Sequence, residues 1–419
     1  GLPFEPAASP PISMRQQLVE KIGAATVAAS RVEIPLETIL SAEQEATGST
    51  ADGIEIAIGS QGANRILSLD LGEGVRQHVL IAGKTGSGKS TLLHSIITSG
   101  AYRYSPDQLH LYLLDFKKGV EFKPYAESGL PHVRVIGIES EREFGRSVLQ
   151  RLDEELHRRG EQFRSESVHE LNDYRQNSGR EMPRILLVID EFQELFVRDD
   201  RLAGDCAMLL DRLVRQGRSF GMHVVLSSQS LAGAYSLPRA TLGQMAVRIA
   251  MQCSESDAAL ILSDENTAAR LISRPGEAIY NDAGGLLEGN QPFQVAWLST
   301  AKHQEMLAAI ISRDRSQGSQ LPPPVIFEGN RPCRWQPTLA DAAIASAGGS
   351  GITGLLGESV EIGPPRTLLL TRNTGRNVLM IAPGESRGAV LAATVSAFVK
   401  SNPKLQLIYL DGNRVDEIG

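Results

Sequence analysis

The chain has 419 residues, of which 42% are hydrophobic and 22% charged, a composition typical of a globular protein with an ample core. Its formal net charge of −7 gives no overall basic character, so nucleic acid could be met only by a locally positive surface such as a central channel. The three cysteines, Cys206, Cys253 and Cys333, lie far apart, which argues against a disulfide framework or a zinc site. Every apolar run is far shorter than the ~20 residues of a membrane helix, and no signal peptide is visible.

Residues 1–32 combine a proline-rich lead with a helix-like segment, MRQQLVEKIGAATVAA, and we interpret them as the end of a preceding element. The chain begins at Gly1 rather than Met and stops at Gly419 within a pattern, so we expect it to be a piece of a longer protein. The alternating patterns GIEIAIG at 53–59 and ILSLDL at 66–71 then predict two strands in hairpin order.

A strand, a glycine-rich loop and a helix follow directly in HVLIAGKTGSGKSTLLHSII at 78–97. The loop satisfies the P-loop pattern G-x-x-x-x-G-K-[ST] at Gly83, Gly88, Lys89 and Ser90. Glycines, here including Gly86, let backbone N–H groups turn toward phosphate oxygens at the positive end of the helix. In this pattern the lysine reaches the β and γ phosphates and the hydroxyl binds Mg²⁺, so the segment predicts a nucleotide site.

After the P-loop, strand and helix patterns alternate, which predicts an α/β domain with a mostly parallel sheet covered by helices. We expect this domain to span residues 33–300. The predicted strands are LHLYLLDF at 109–116, HVRVIGI at 132–138, RILLVID at 184–190 and HVVLSS at 223–228, with AVRIAMQC, EAIYND and FQVAWLS near the end; amphipathic helices are predicted over 141–163 and 202–213.

Asp190 and Glu191 end an almost wholly apolar strand, which is a Walker B pattern. An aspartate in this position holds Mg²⁺, usually through water, and the adjacent glutamate activates the attacking water. Ligands of open α/β sheets bind at the carboxyl ends of the strands, so we expect Asp190 to lie near Lys89. Gln229 ends the next apolar strand and is a candidate sensor of the γ-phosphate, although a solvated loop glutamine is an equal alternative.

Two arginines, Arg215 and Arg218, lie between an amphipathic helix and that last strand. Phosphoryl transfer gains from a cation delivered to the developing charge, often by a neighbouring subunit; either arginine could be such a finger, and Arg218 is our candidate. Both arginines could equally be surface charges. Asp115, Lys117 and Lys118 follow another strand, where the lysines could contact phosphate, substrate or a subunit, or simply be solvated.

Residues 301–350 differ in composition, and we interpret them as a linker with some local structure. The pattern then starts again: VEIG at 360–363 and TLLL at 367–370 echo the hairpin, NVLMIAPGESRGAVLAATVSAF at 377–398 echoes the P-loop segment, and LQLIYLDG at 405–412 echoes the strand after it. We expect residues 351–419 to be the first part of a second, degenerate copy of the domain, with a chance likeness between two α/β units as the alternative. Pro383, Ala389 and Val390 replace Gly83, Lys89 and Ser90, so catalysis is not expected there.

Six segments occur in a characteristic order: GKTGSGKS, LLDFKKG, GLPHV at 129–133, VIDEF, RQGRSFGMHVVLSSQS and AVRIAMQCSESDAALILSD. Together they resemble the FtsK/SpoIIIE family of P-loop motor ATPases over about residues 33–300. The resemblance implies a RecA-like fold and a Mg-dependent ATPase. It implies Asp190 as the acid on the metal side with Ser90, Glu191 as the base and Gln229 as the sensor. The implied Mg–ATP site consists of Gly83, Lys84, Thr85, Gly86, Ser87, Gly88, Lys89, Ser90 and Thr91.

The resemblance also implies a homo-oligomeric, hexameric ring and a transported cargo. Motors of this family pull double-stranded DNA, which is the first expectation, or drive protein export in the type VII secretion branch. Tandem ATPase domains with degenerate later P-loops are typical of the type VII secretion branch. The segment PLETIL at 35–40 also resembles the entry to the first ATPase domain of that branch. A third hypothesis is an ATP-controlled assembly or docking module. We expect a cytoplasmic location, with any membrane tether outside this chain.

Overall fold

The computed structural model describes residues 11–408, except 31, 41–47, 63–64, 118–120, 231–238, 318–321, 330, 332, 349–350, 374–376 and 382–385. The chain divides into two compact units, Gly1–Gly329 and Asn330–Gly419, and each is described by itself. Within the described part of the chain, no helix has both the length and the apolar character needed to cross a bilayer.

The first unit contains strands and helices in the alternating order that the sequence predicts. Its strands are β1 (Ile34–Pro35), β2 (Ile54–Gln61), β3 (Arg65–Leu71), β4 (Val79–Ala82), β5 (Leu109–Asp115), β6 (Val133–Ile138), β7 (Arg184–Asp190), β8 (Met222–Ser228), β9 (Val247–Ala250), β10 (Glu277–Asn281), β11 (Asn290–Trp297) and β12 (Val325–Glu328). Its helices are α1 (Ile12–Ser30), α2 (Leu36–Ile39), α3 (Lys89–Arg103), α4 (Lys123–Ser128), α5 (Arg142–Ser165), α6 (Leu171–Ser178), α7 (Arg201–Gln216), α8 (Arg239–Gly243), α9 (Glu255–Ile261) and α10 (Thr300–Gln317).

The strands form one large sheet in the order β12-β6-β5-β7-β8-β4-β9-β10-β11-β2-β3, with β1 beside β11. Neighbours from β12 to β9 are parallel, and those from β9 to β3 are antiparallel. Every residue of β4, β6, β7 and β8 is buried, as expected for parallel strands covered on both faces. The predicted α/β fold with a mostly parallel, helix-covered sheet is confirmed.

The strand register brings the predicted site residues to one edge of the sheet. Asp115, the last residue of β5, pairs with Asp190, the last residue of β7. Asp190 pairs with Ser227 of β8, and Ser228 pairs with Ala82 at the end of β4. The P-loop and the Walker B acids therefore leave β4 and β7, the two strands that flank β8, at nearly the same level.

Residues 300–329 are packed into the first unit, although the sequence predicts a linker over 301–350. Leu307 and Ile310 of α10 are buried in the main core, and β12 extends the sheet by pairing in parallel with β6. The physical reason is that both segments carry an apolar face, which becomes buried on α3, α4 and the open edge of β6.

The second unit contains α11 (Pro337–Ala347), β13 (Ile352–Gly357), β14 (Arg366–Leu370) and α12 (Ser386–Ser401). Strands β13 and β14 form an antiparallel hairpin against which α12 packs, the same arrangement as β2, β3 and α3 in the first unit. The first strand is ITGLLG, however, and VEIG at 360–363 lies between the two strands. Residues 377–380 and 405–408 are not in strands, whereas Pro383 and residues 409–412 lie outside the described residues. A second, degenerate copy of the domain stays a prediction.

Candidate functional site

The P-loop is a tight turn between β4 and α3 whose shape depends on glycine. Gly86 and Gly88 have φ angles of 81° and 103°, in the left-handed region that side chains disfavour. A Cβ atom on Gly88 would also lie 3.1 Å from Met251 Cε and 3.2 Å from the backbone N of Gly276. The loop is anchored to the neighbouring strands because the N–H of Gly83 donates to the Ser228 carbonyl at 3.2 Å.

The outer part of this loop faces solvent at the start of a long helix. Lys84, Thr85 and Gly86 are exposed, while Ser87 and Lys89 are buried. Helix α3 has 15 residues, and its unpaired N–H groups and positive dipole end favour an anion at this place. The loop conformation and the helix start therefore fit the phosphates of a nucleotide.

Lys89 links the P-loop to the Walker B acids, as the sequence predicts. Its Nζ atom pairs with Asp190 Oδ1 and lies 2.9 Å from Glu191 Oε1, and all three side chains are at most 6% exposed. Burial raises the pKa of Asp190, although the charge of Lys89 opposes this. Burial would also raise the pKa of Glu191, but Lys89 and a hydrogen bond from Gln193 outweigh it, so this pKa is lowered.

Glu191 is held in a fixed orientation by further contacts. Its φ angle of 52° is unusual for a residue other than glycine. Its Oε2 atom accepts hydrogen bonds from Gln193 Nε2 at 2.8 Å and from the backbone N–H of Gln229 at 3.1 Å. The side chain of Gln229 in turn accepts a hydrogen bond from Thr85 Oγ1 at 2.9 Å. The structure thus brings Glu191, Gln229 and the P-loop together.

A further carboxylate, Asp115, lies beside the Walker B strand. It is fully buried; its Oδ1 accepts from the Lys117 N–H at 2.9 Å, and its Oδ2 has no hydrogen-bond partner among the described residues. Burial raises the pKa of Asp115 to about 7. Lys117 Nζ lies 4.0 Å from Glu191 Oε1, whereas Lys118 is outside the described residues.

These groups fit a divalent cation that prefers oxygen ligands. The carboxyl groups of Asp115, Asp190 and Glu191 lie together here, and among the described residues one of their buried oxygens, Asp115 Oδ2, has no hydrogen-bond partner. Mg²⁺ is bound in proteins by one or two carboxylates together with hydroxyl, phosphate and water oxygens. Ser90 and Asp190 are the residues that would hold it.

No sequence pattern marks Glu121, which contacts the predicted metal ligand Ser90. The Ser90 hydroxyl donates to Glu121 Oε1 at 2.7 Å, and His94 Nε2 lies 3.4 Å from Glu121 Oε2. Hydrogen bonding from His94, and then from Ser90, lowers the pKa of Glu121. Glu121 lies in the loop between β5 and α4, so no helix or strand periodicity marks it.

A cavity of about 530 Å³ lies beside the P-loop and was also missed by the sequence patterns. Its wall combines the loop residues Gly86, Gly88, Ser90 and Thr91 with residues far away in the chain, namely Val32, Pro275, Gly276, Gln294, Val295 and Trp297. Only the folded sheet brings these segments together, because β11 is the third strand from β4 in the sheet but lies far from it in sequence.

The two candidate arginines lie away from the P-loop of their own chain. Arg218 is in a short 3₁₀ helix, Gly217–Phe220, that precedes β8, whereas the P-loop and Gln229 lie at the opposite end of that strand. Seven residues of strand separate the two ends by roughly 20 Å. Arg218 is exposed and lines a different cavity together with Arg184 and Glu73. Arg215 pairs with Asp211 at 2.8 Å on α7.

Comparison with known proteins agrees with this geometry. Residues 40–233 match the model of the FtsK/SpoIIIE family, a range that includes the P-loop, Asp190, Glu191 and Gln229. The ESX secretion system protein EccC of Geobacillus thermodenitrificans is 30% identical over 59% of this chain, which corresponds to 17% of that protein. The DNA translocase FtsK of Helicobacter pylori is 29% identical over 52% of this chain and 25% of that protein. The chain thus spans a quarter or less of the length of these relatives.

Solved structures show the same fold. The cytoplasmic domain of the Type VII Secretion ATPase EccC of Thermomonospora curvata superposes with a TM-score of 0.59, covering 78% of this chain and 40% of that chain at 24% identity. The family match, the P-loop and Walker B geometry and this likeness of fold lead to one conclusion: the chain contains a domain of the FtsK/SpoIIIE family of P-loop ATPases.

Proposed function

We propose that the first unit binds ATP with Mg²⁺ and hydrolyses it to drive a translocating motor. The observation that carries this proposal is the hydrogen-bonded cluster at the carboxyl edge of the sheet, in which Lys89 contacts both Asp190 and Glu191. Purely structural P-loop-like turns have no need for two buried carboxylates around the lysine, since burying charge is costly.

Each residue of the cluster has a chemical role in this proposal. The P-loop N–H groups and the start of α3 hold the phosphates, and Lys89 moves from the acids to the phosphate oxygens. Bound Mg²⁺ neutralises phosphate charge. Glu191 accepts the proton of the attacking water, and the contacts from Gln193 and Gln229 orient its carboxylate.

The cavity beside the loop supplies a place for the nucleoside. Val32, Pro275 and Trp297 offer apolar surface next to Gly88 and Thr91, and an aromatic or apolar wall suits the flat face of a base. We place the base and ribose of ATP in this cavity.

For the cargo, we propose a polypeptide in preference to double-stranded DNA. Two observations support this: the EccC relatives are 30% and 35% identical to this chain over the matched residues, whereas the FtsK relatives are 29% and 25% identical, and a second unit follows the first with Ala389 and Val390 in helix α12. The net charge of −7 also disfavours binding to a phosphate backbone. Double-stranded DNA is the second candidate because FtsK is 29% identical to this chain. A homo-oligomeric ring on the cytoplasmic side is part of both proposals.

The test compares ATP turnover of the full chain with three additions: none, double-stranded DNA at low salt, and a signal sequence peptide of the kind found in complex with EccC of Thermomonospora curvata. We expect severalfold stimulation by the peptide. Stimulation by DNA alone would overturn the polypeptide cargo and select the second candidate. Glu191→Gln should bind ATP without turning it over, so phosphate release by this variant at the wild-type rate would contradict the assigned base.

A further inference from the structure

Glu121 is the residue next to the P-loop that no motif accounts for. We infer that Glu121 positions the hydroxyl of Ser90 for the metal ion, an inference that rests on the Mg–ATP site proposed above. The residue acts through Ser90, so we describe it as a positioning residue.

The hydrogen bond between these residues orients the hydroxyl. A serine hydroxyl has one hydrogen and two lone pairs, and the hydrogen of Ser90 is donated to Glu121 Oε1 at 2.7 Å. Both lone pairs then remain available to a cation. In the same structure Asp190 is paired with Lys89, and Glu121 is the carboxylate that accepts from Ser90.

A network of aromatic side chains holds Glu121 in place. His94 lies one helical turn after Ser90 on α3, so both residues face Glu121. His94 Nε2 is 3.4 Å from Glu121 Oε2, and His94 Nδ1 is 2.8 Å from the hydroxyl of Tyr125 on α4. The ring of His303 on α10 packs at 5.0 Å from His94 and 5.2 Å from Tyr125, measured between ring centroids. Three helices therefore fix the position of one carboxylate.

This arrangement has the form of an outer-shell contact at a metal site. Groups that hydrogen-bond to a metal ligand orient it and raise its affinity for the metal, and their loss typically lowers metal affinity about 10- to 100-fold. A charged carboxylate accepts a hydrogen bond about twice as strong as the one that a neutral amide accepts, so Glu121 holds the Ser90 hydroxyl more firmly than a glutamine would. Nucleotide binding without metal does not use this contact.

The experiment measures the affinity of the full chain for a fluorescent ATP analogue, once with Mg²⁺ and once with EDTA. For Glu121→Gln, which keeps the shape and removes the charge, we expect an affinity about tenfold lower with Mg²⁺ and an unchanged affinity with EDTA. Glu127→Gln is the matched control, because Glu127 is an exposed glutamate on α4, the helix that follows Glu121, and it pairs with Lys123 instead of Ser90. It should leave both affinities unchanged.

A double-mutant cycle separates positioning from a general structural role. In the Ser90→Ala background, Glu121→Gln should lose most of its effect, since the hydroxyl through which it acts is gone. Equal losses with Mg²⁺ and with EDTA, or the same loss in both backgrounds, would overturn the inference for Glu121 alone. If the unmodified chain binds the analogue no better with Mg²⁺ than with EDTA, the proposed Mg–ATP site itself fails, and the inference falls with it.

Discussion

Lys89 is shared between two buried carboxylates, which explains why the Walker B acids can stay together in the core. Removing the lysine would leave Asp190 and Glu191 as uncompensated buried charges, a change that typically costs about 3 to 5 kcal/mol. An alanine at this position therefore tests stability as well as nucleotide binding, and the two effects need separate measurements.

Asp115 gives the first prediction, a dependence of stability on pH. Its pKa is raised from 3.8 to about 7 by burial, so the folded protein binds this proton more tightly than the unfolded chain does. Its contribution to stability is complete below pH 3.8 and is lost as pH rises through 7. Asp115→Asn carries no titrating group, so we expect its melting temperature to rise relative to the wild type by several degrees between pH 5 and pH 8.

The measurement is thermal unfolding of the nucleotide-free and metal-free chain at both pH values. The control is Asp107→Asn, an exposed aspartate in the turn before β5. A difference between Asp115→Asn and wild type that stays constant across this pH range would contradict the prediction.

Trp297 gives a spectroscopic prediction for the nucleoside cavity. The chain has two tryptophans, and the other, Trp335, is 50% exposed in the second unit. If the base of ATP packs in the cavity that Trp297 lines, nucleotide binding should change tryptophan emission in wild type and in Trp335→Phe. The change should disappear in Trp297→Phe; its persistence there would place the base elsewhere.

At the scale of elements, the turn before β10 closes over the P-loop. Gly276 donates its N–H to the Ser87 carbonyl at 2.8 Å, and its own carbonyl accepts from Val295 at 2.8 Å. Its φ angle is 81°, and a Cβ atom there would lie 2.4 Å from Gln294 Nε2. The turn thus ties the P-loop to β11, and a side chain at Gly276 would strain this turn and displace the Gln294 side chain.

We expect Gly276→Ala to lower ATP affinity about tenfold, since backbone strain of this kind costs about 1 to 3 kcal/mol and the movement falls on the P-loop. Gly284→Ala is a close control: Gly284 also has a positive φ angle, 67°, but its Cβ would meet nothing within 4 Å. Affinity for a fluorescent ATP analogue distinguishes them. Equal losses in both variants would show that general backbone strain, and not the contact with the P-loop, is responsible.

Local patterns predicted most elements of the first unit but not the contacts between distant segments. The apolar runs of β7 and β8 and the four-residue spacing of Phe144, Val148, Leu152 and Leu156 on α5 are local signals, and the structure confirms them. The antiparallel direction of β10 and β11 depends on which strands pair, and a single strand does not carry that information. Glu121 and Trp297 were missed for the same reason, because each reaches the P-loop only through the fold.

At the scale of the whole molecule, the position of Arg218 bears on assembly. Arg218 lies at the end of β8 opposite to Gln229, so it is separated from the P-loop of its own chain. An arginine in this position can act on ATP only in another subunit of a ring. The role as a finger therefore stays a prediction that requires an oligomer.

Mixing two inactive variants tests this prediction. We expect Lys89→Ala and Arg218→Ala each to lose most ATP turnover, and their mixture to recover part of it, because one subunit can supply Arg218 and its neighbour an intact P-loop. Arg215→Ala, whose arginine pairs with Asp211, should stay active by itself and serves as the control. Absence of recovery in mixed oligomers of normal size would count against action between subunits.

The pairing of β12 with β6 has a practical consequence for where this chain can be cut. A protein ending at residue 300, the boundary that composition suggests, would lack α10 and β12 and leave the apolar strand β6 with an open edge. Open apolar edges recruit strands from other molecules, so we expect that shorter protein to aggregate during expression. A protein ending at residue 329 keeps the edge closed and should elute as a discrete species in size-exclusion chromatography, which would make it the better material for crystallisation.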